Sequence, residues 1–138
     1  MTRGFATIAP DCEVVFDEVK ETDNLNYVIY EANSHDKKIT VAESGKYKDY
    51  AEFLTHFKDD TPRYAVVDLK YDFAGDKQRH KLVFITWVPE AASTHEKTYT
   101  TTNKDHLYRS FEDISLHVQA TTQAELAHAT LLSKFKAL

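Results

Sequence analysis

Residues able to do acid–base, nucleophilic or metal chemistry are scattered through this chain. Its seven histidines are His35, His56, His80, His95, His106, His117 and His128. No two stand four apart, so no turn of helix presents a ligand pair to a metal, and H-E-x-x-H does not occur. Cys12 is the single cysteine, which excludes an internal disulfide and fits a reducing compartment. It shares a helical spacing with Val15, Phe16 and Val19, the setting of a packed thiol rather than a nucleophile. The acidic residues form no pair that the sequence alone assigns to general acid–base work. The three glycines stand apart from one another. A phosphate-cradling loop is therefore impossible, and no G-x-S-x-G elbow occurs. Neither enzymatic activity nor a cofactor is expected.

The basic residues are more informative. Lys77, Arg79 and Lys81 gather at the tip of an expected hairpin. His95, Lys97, Lys104 and Arg109 form a second group, and Lys134 and Lys136 a third near the C-terminus. One such group would read as ordinary solubilising charge. Three of them on a chain of net charge −5 and pI about 5.8 point to a face for an acidic partner. The acidic balance argues against general nucleic-acid binding.

These groups need a scaffold. At 138 residues, 42% hydrophobic and 28% charged, the chain fits a single domain over 1–138. No apolar run reaches the roughly 18–20 residues that span a bilayer. The first residues lack a signal-like apolar stretch. Helical spacing marks 10–20, with Pro10 in the first turn. Asn26–Ala32 and Lys38–Ala42 read as a hairpin around Asn33-Ser34-His35-Asp36. Asp49-Tyr50-Ala51-Glu52 has capping-box spacing and opens a short helix with Tyr50, Phe53, Leu54 and Phe57 inward. Arg63–Tyr71 and Lys81–Trp87 read as a second antiparallel hairpin. Ser115–Ala120 reads as a short strand. Thr122-Gln123-Ala124-Glu125 reads as a capping box that opens a last helix bearing Ala127, Leu131, Phe135 and Leu138. Between strand and strand lies STHEKTYTTTNKDHL, Ser93 to Leu107. Its threonines oppose a helix, because branching at Cβ restricts χ1. Its charged residues and Leu107 with Phe111 favour one.

The chain resembles the ADF/cofilin family of actin-binding proteins. Arg63-Tyr64-Ala65-Val66-Val67-Asp68 is similar to the family's R-Y-A-V-Y-D. Lys81 to Glu90, KLVFITWVPE, is similar to K-L-V-F-I-x-W-x-P-D. Lys104-Asp105-His106-Leu107 matches K-D-x-L, and Gln119-Ala120-Thr121 precedes the last helix as in the family. The resemblance runs along nearly the whole chain. It implies an α/β sandwich: a central mixed sheet of about five strands with helices on both faces. It implies that the threonine-rich stretch opens a long, bent helix that inserts into a cleft of actin, since a threonine in mid-helix can bond back to the carbonyl four residues earlier.

By the same resemblance, Gly4, Phe5, His95, Lys97, Thr98, Lys104, Asp105 and Arg109 contact actin. Arg79, Lys81, Lys134 and Lys136 contact a second subunit in filaments. Thr98 stands where the family usually carries Met. Arg3 occupies the place of the regulatory serine, so inhibition by phosphorylation there is not expected. The implied activity is binding of actin monomers and filaments with filament severing and depolymerisation, by a monomeric cytoplasmic protein associated with the cytoskeleton. Phosphoinositides are implied as competing ligands of the basic surface. Integral membrane association is not implied. The alternative is a module of the same fold that binds actin or a branching complex without severing.

Overall fold

The computed structural model describes residues 5–73 and 77–136; at 71–73, 77–79 and 136 only the backbone is described. The elements run β1 (Thr7–Ile8), α1 (Asp11–Glu21), β2 (Tyr27–Asn33), β3 (Lys38–Gly45), α2 (Tyr50–Leu54), β4 (Arg63–Phe73), β5 (Lys77–Trp87), α3 (Thr94–Tyr108), β6 (Ile114–Ala120) and α4 (His128–Lys136). A 3-10 turn, Gln123–Leu126, precedes α4.

One mixed sheet of six strands has the order β1-β3-β2-β4-β5-β6. The two hairpins are antiparallel, whereas β1 joins β3 and β6 joins β5 in parallel. The strand beyond the expected five is β1. Two residues are too few to show a period, and only pairing with Lys38 and Ile39 makes them a strand. Both long strands also extend further than their apolar centres suggest. Ladder bonds carry the pairing out to Phe73 and Lys77.

Alternation along the strands sorts side chains to two faces. On one face Val28, Tyr30, Tyr64, Val66 and Phe84 pack with Phe16 and Val19 of α1 and Leu107 of α3. On the other Ile29, Ala65, Val67, Val83, Ile85 and Trp87 pack with Phe53, Phe57, Leu126 and Leu131. Helices therefore cover both faces, as expected. Cys12 is buried on the first face, and burial pushes its thiol up to about 11, which suits packing and not nucleophilic work.

The caps act as the residue types demand, with one difference. Asp49 accepts from the Ala51 amide at 3.1 Å and starts α2. Thr122 and Glu125 do form a reciprocal box, but it opens the 3-10 turn and not the last helix. Ala127 is extended at ψ 145°, so α4 begins only at His128. Leu131 is fully buried as its spacing predicts, while Leu138 lies outside the described residues.

Arg63 is 6% exposed at the start of β4. Its Nε donates to Glu31 at 2.9 Å, and its Nη1 donates to Glu43 and to the His56 carbonyl, each at 2.9 Å. His56 also pairs with Glu43 at 3.0 Å. Burial alone would raise the Glu43 carboxyl, but hydrogen bonds from His56 and Arg63 outweigh it and hold the group below its ordinary range. The folded chain thus binds this proton less readily than the unfolded chain. The stabilisation is complete above the unfolded pKa of about 4.3 and is lost as pH falls through the lower folded value. Glu43→Gln is expected to unfold at lower temperature than the parent at pH 7. The gap should narrow in thermal melts as pH falls below about 4.3 and close once pH lies below the lowered folded value, and a gap that stays constant into acid would contradict this assignment.

Candidate functional site

Helix α3 settles the conflict in the threonine-rich stretch. Ser93 is its N-cap, with Oγ accepting from the Glu96 amide at 3.2 Å. The threonines are tolerated because each meets a different environment. Thr100 is 1% exposed, and its carbonyl accepts from the Tyr64 hydroxyl at 2.5 Å. Thr101 donates back to the Lys97 carbonyl at 2.8 Å, the i−4 back-bond the sequence leads one to expect of a threonine in mid-helix. Thr98 and Thr102 face solvent. Leu107 packs into the core between helix and sheet, and Ser34 of the β2–β3 turn donates to Glu96 at 2.9 Å.

The outer side of α3 is one continuous stripe. His95, Thr98, Thr102, Asp105 and Arg109 are all exposed and recur at helical spacing. Lys97 and Lys104 flank it, partly covered. Lys97 Nζ donates to the Glu90 carbonyl at 3.3 Å, and Lys104 Nζ donates to Gln119 Oε1 at 2.8 Å. Lys97, Thr98, Thr101 and Thr102 line a shallow depression of about 250 Å³. Next to Lys104, His117 stacks on Tyr108 with ring centres 5.1 Å apart. Burial first, and Lys104 second, hold this imidazole below its ordinary value. Neutral at pH 7, it does not repel the neighbouring ammonium.

The N-terminal segment meets the same helix. The Phe5 ring stacks on His106 at 5.1 Å and 10°, and the Ala6 amide donates to Asn103 Oδ1 at 2.7 Å. Phe5 is 38% exposed. Phe5 and the α3 residues thus belong to one surface, while Gly4 lies outside the described residues.

The second basic set is on the other layer. Lys81 is exposed and pairs with Leu69 across the β4–β5 ladder. It has the strand parity of Val83, which faces α4. Lys134 is exposed on α4. Arg79 pairs with Tyr71 through its backbone, but its side chain, like that of Lys136, lies outside the described residues. Among the described residues no group of His, Cys, Asp and Glu is placed to hold a metal, and no helix is long and apolar enough to cross a membrane.

Residues 5–136 match the profile of the cofilin/tropomyosin-type actin-binding proteins. The chain belongs to this family. Cofilin of Schizosaccharomyces pombe is 33% identical over 127 residues, 92% of each chain. Cofilin of Yarrowia lipolytica is 32% identical, covering 97% of this chain and 88% of its own. The crystal structure of Streptomyces griseoflavus cofilin superposes with a TM-score of 0.88 at 32% identity, over 94% of this chain and 96% of the other. The family match thus spans every described residue, 5–73 and 77–136.

Of the residues singled out in this cofilin-family sequence, Phe5, His95, Lys97, Thr98, Lys104, Asp105 and Arg109 fall on or beside the α3 stripe. Lys81 and Lys134 share the opposite layer. Sequence reasoning missed Thr102, which completes the stripe, and Gln119, which holds Lys104. Thr102 was hidden in a run of like residues, although its place at i+4 from Thr98 was a readable signal. Gln119 was legible only as part of the Gln119-Ala120-Thr121 match, and its bond to Lys104 joins β6 to α3 only in the folded chain.

Proposed function

We propose that this chain binds actin as monomer and in filaments and promotes filament severing and depolymerisation, without catalysing a covalent reaction. The observation that carries this reading is the joined surface of α3 and Phe5, on a chain of the cofilin family. Lys97 and Lys104 supply cations to an acidic partner, and the stripe from His95 to Arg109 supplies polar and aliphatic contact. Gly4, Phe5, Thr98 and Asp105 are proposed as further contacts. Thr98 is small and polar in the shallow depression, so less apolar burial is available there than a Met would give.

Arg79, Lys81, Lys134 and Lys136 are proposed to contact a neighbouring subunit. Lys81 and Lys134 support this by lying on the layer opposite α3, so one copy can touch two subunits at once. A ligand that binds one filament conformation better than another shifts the population toward it. Strain at the boundary with bare filament then favours breakage. Anionic phosphoinositide headgroups would compete for the same cations. The proposed setting is the cytoplasm, with the protein acting as a monomer beside the cytoskeleton.

Pyrene-actin disassembly, run beside pelleting with ADP- and ATP-loaded actin, tests the reading. The parent should sediment with filaments and accelerate their disassembly. Lys81→Glu with Lys134→Glu should lower filament affinity about tenfold or more and leave monomer affinity unchanged, as two reversed charges at one contact require. Sedimentation without accelerated disassembly would favour the module that binds without severing. No sedimentation and no monomer binding would overturn the proposal.

A further inference from the structure

Asn103 is out of place as a helix residue. Asparagine competes poorly for helix interiors, because its amide prefers to bond locally in other conformations. Here it is 0% exposed in the middle of α3. Both ends of its amide are used. Nδ2 donates to the Tyr99 carbonyl of its own helix at 2.9 Å, which fixes the side chain. Oδ1 then accepts the Ala6 amide at 2.7 Å, across 97 positions of sequence. Ala6 is 2% exposed, so its N–H would otherwise be buried without a partner. The next amide, Thr7, is held by the Lys37 carbonyl at 2.8 Å on the edge of the sheet. One helical turn past Asn103, His106 stacks on Phe5. Two successive residues of the N-terminal segment are therefore gripped by two residues of α3 at i and i+3.

We propose that Asn103 and His106 are positioning residues, a clip that holds Phe5 and Ala6 against α3 so that the two parts of the binding surface are pre-assembled. Pre-assembly raises affinity because the segment need not be ordered at the moment of binding. The consequence for affinity rests on the actin-binding reading above. The clip itself does not.

The test uses full-length Asn103→Ala, His106→Ala, His106→Phe, Phe5→Ala and the double variant Phe5→Ala/His106→Ala. Amide exchange at Ala6 should quicken about tenfold or more in Asn103→Ala and His106→Ala, while the amides of Val66 and Phe84 in the core strands keep their protection. Affinity for actin should fall about three- to tenfold in His106→Ala, the range measured for one stacked pair. His106→Phe, which keeps a ring against Phe5, should restore it. The double variant should lose no more than Phe5→Ala alone, because that change already removes the stack together with the Phe5 ring. A residue with a merely structural role would give additive losses and no rescue by Phe.

Unchanged exchange at Ala6 in His106→Ala overturns the clip, and this variant serves even where Asn103→Ala fails to fold. Quickened exchange with additive losses in affinity overturns the positioning role. The exchange measurement needs no actin. A parent that fails to sediment with filaments would sink the actin reading alone and leave the clip to be judged by exchange.

Discussion

Replacing Lys97 and Lys104 together with alanine is expected to abolish sedimentation with actin filaments while the fold survives. The two ammonium groups flank the exposed stripe of α3 from one side, Lys97 four and Lys104 eleven residues after the Ser93 cap. Each makes one polar contact within the chain, to the Glu90 carbonyl and to Gln119. Such contacts at a surface contribute about 1 kcal/mol or less, so melting should move little. At an interface the balance differs. Cutting one partner of a desolvated charge pair costs about 2–5 kcal/mol, much of it from the opposite charge left buried alone. Two such losses correspond to a fall in affinity of at least about 700-fold, below the reach of pelleting. Normal sedimentation by a folded double variant would show that α3 is not the principal contact. Circular dichroism and thermal melts on the same preparation keep an unfolded protein from being mistaken for a weak binder.

The second large effect is on stability. Arg63→Ala should destabilise the chain by about 3 kcal/mol and lower the melting temperature by about 10 °C. The guanidinium is nearly buried and ties β4 to Glu31 of β2, Glu43 of β3 and the turn after α2. Alanine removes three charge-assisted bonds and leaves a void where the side chain stood. The loss stays at the low end for a buried pair because Glu31 and Glu43 keep 37% and 43% side-chain exposure and can be rehydrated. Arg63→Met, which fills the space without the charge, should cost less than alanine. Equal losses for the two would show that packing has no part in the effect. A loss under about 1 kcal/mol for alanine would show that the network is a surface feature only.

The sequence determined most of the local structure. Apolar spacing at Cys12, Val15, Phe16 and Val19 does place α1, and alternation does place the hairpin strands. Asp49 and Ser93 cap as their side chains require, since an oxygen one or two bonds from Cβ reaches the amides of the first turn. The absence of a Gly-rich loop or a nucleophile motif was also legible, as was the family, from motifs that run in order along the chain. These are statements about neighbours in sequence, where period and side-chain chemistry act directly.

The tertiary structure decided what those statements leave open. Thr98 to Thr102 oppose a helix by propensity, yet Tyr64 and Leu107 hold α3 on the sheet, because burial outweighs a preference of a few tenths of a kcal/mol per residue. Strand β1 exists only through β3. Whether the basic residues form one face or two depended on strand parity and on which helix covers which face. That separated Lys81 and Lys134 from Lys97 and Lys104. Arg63 read only as the start of a strand, and its three partners come from segments 7 to 32 residues away. The grip of Asn103 on Ala6 spans 97 positions. Contacts of that range are set by chain topology and register, which leave no local period to read.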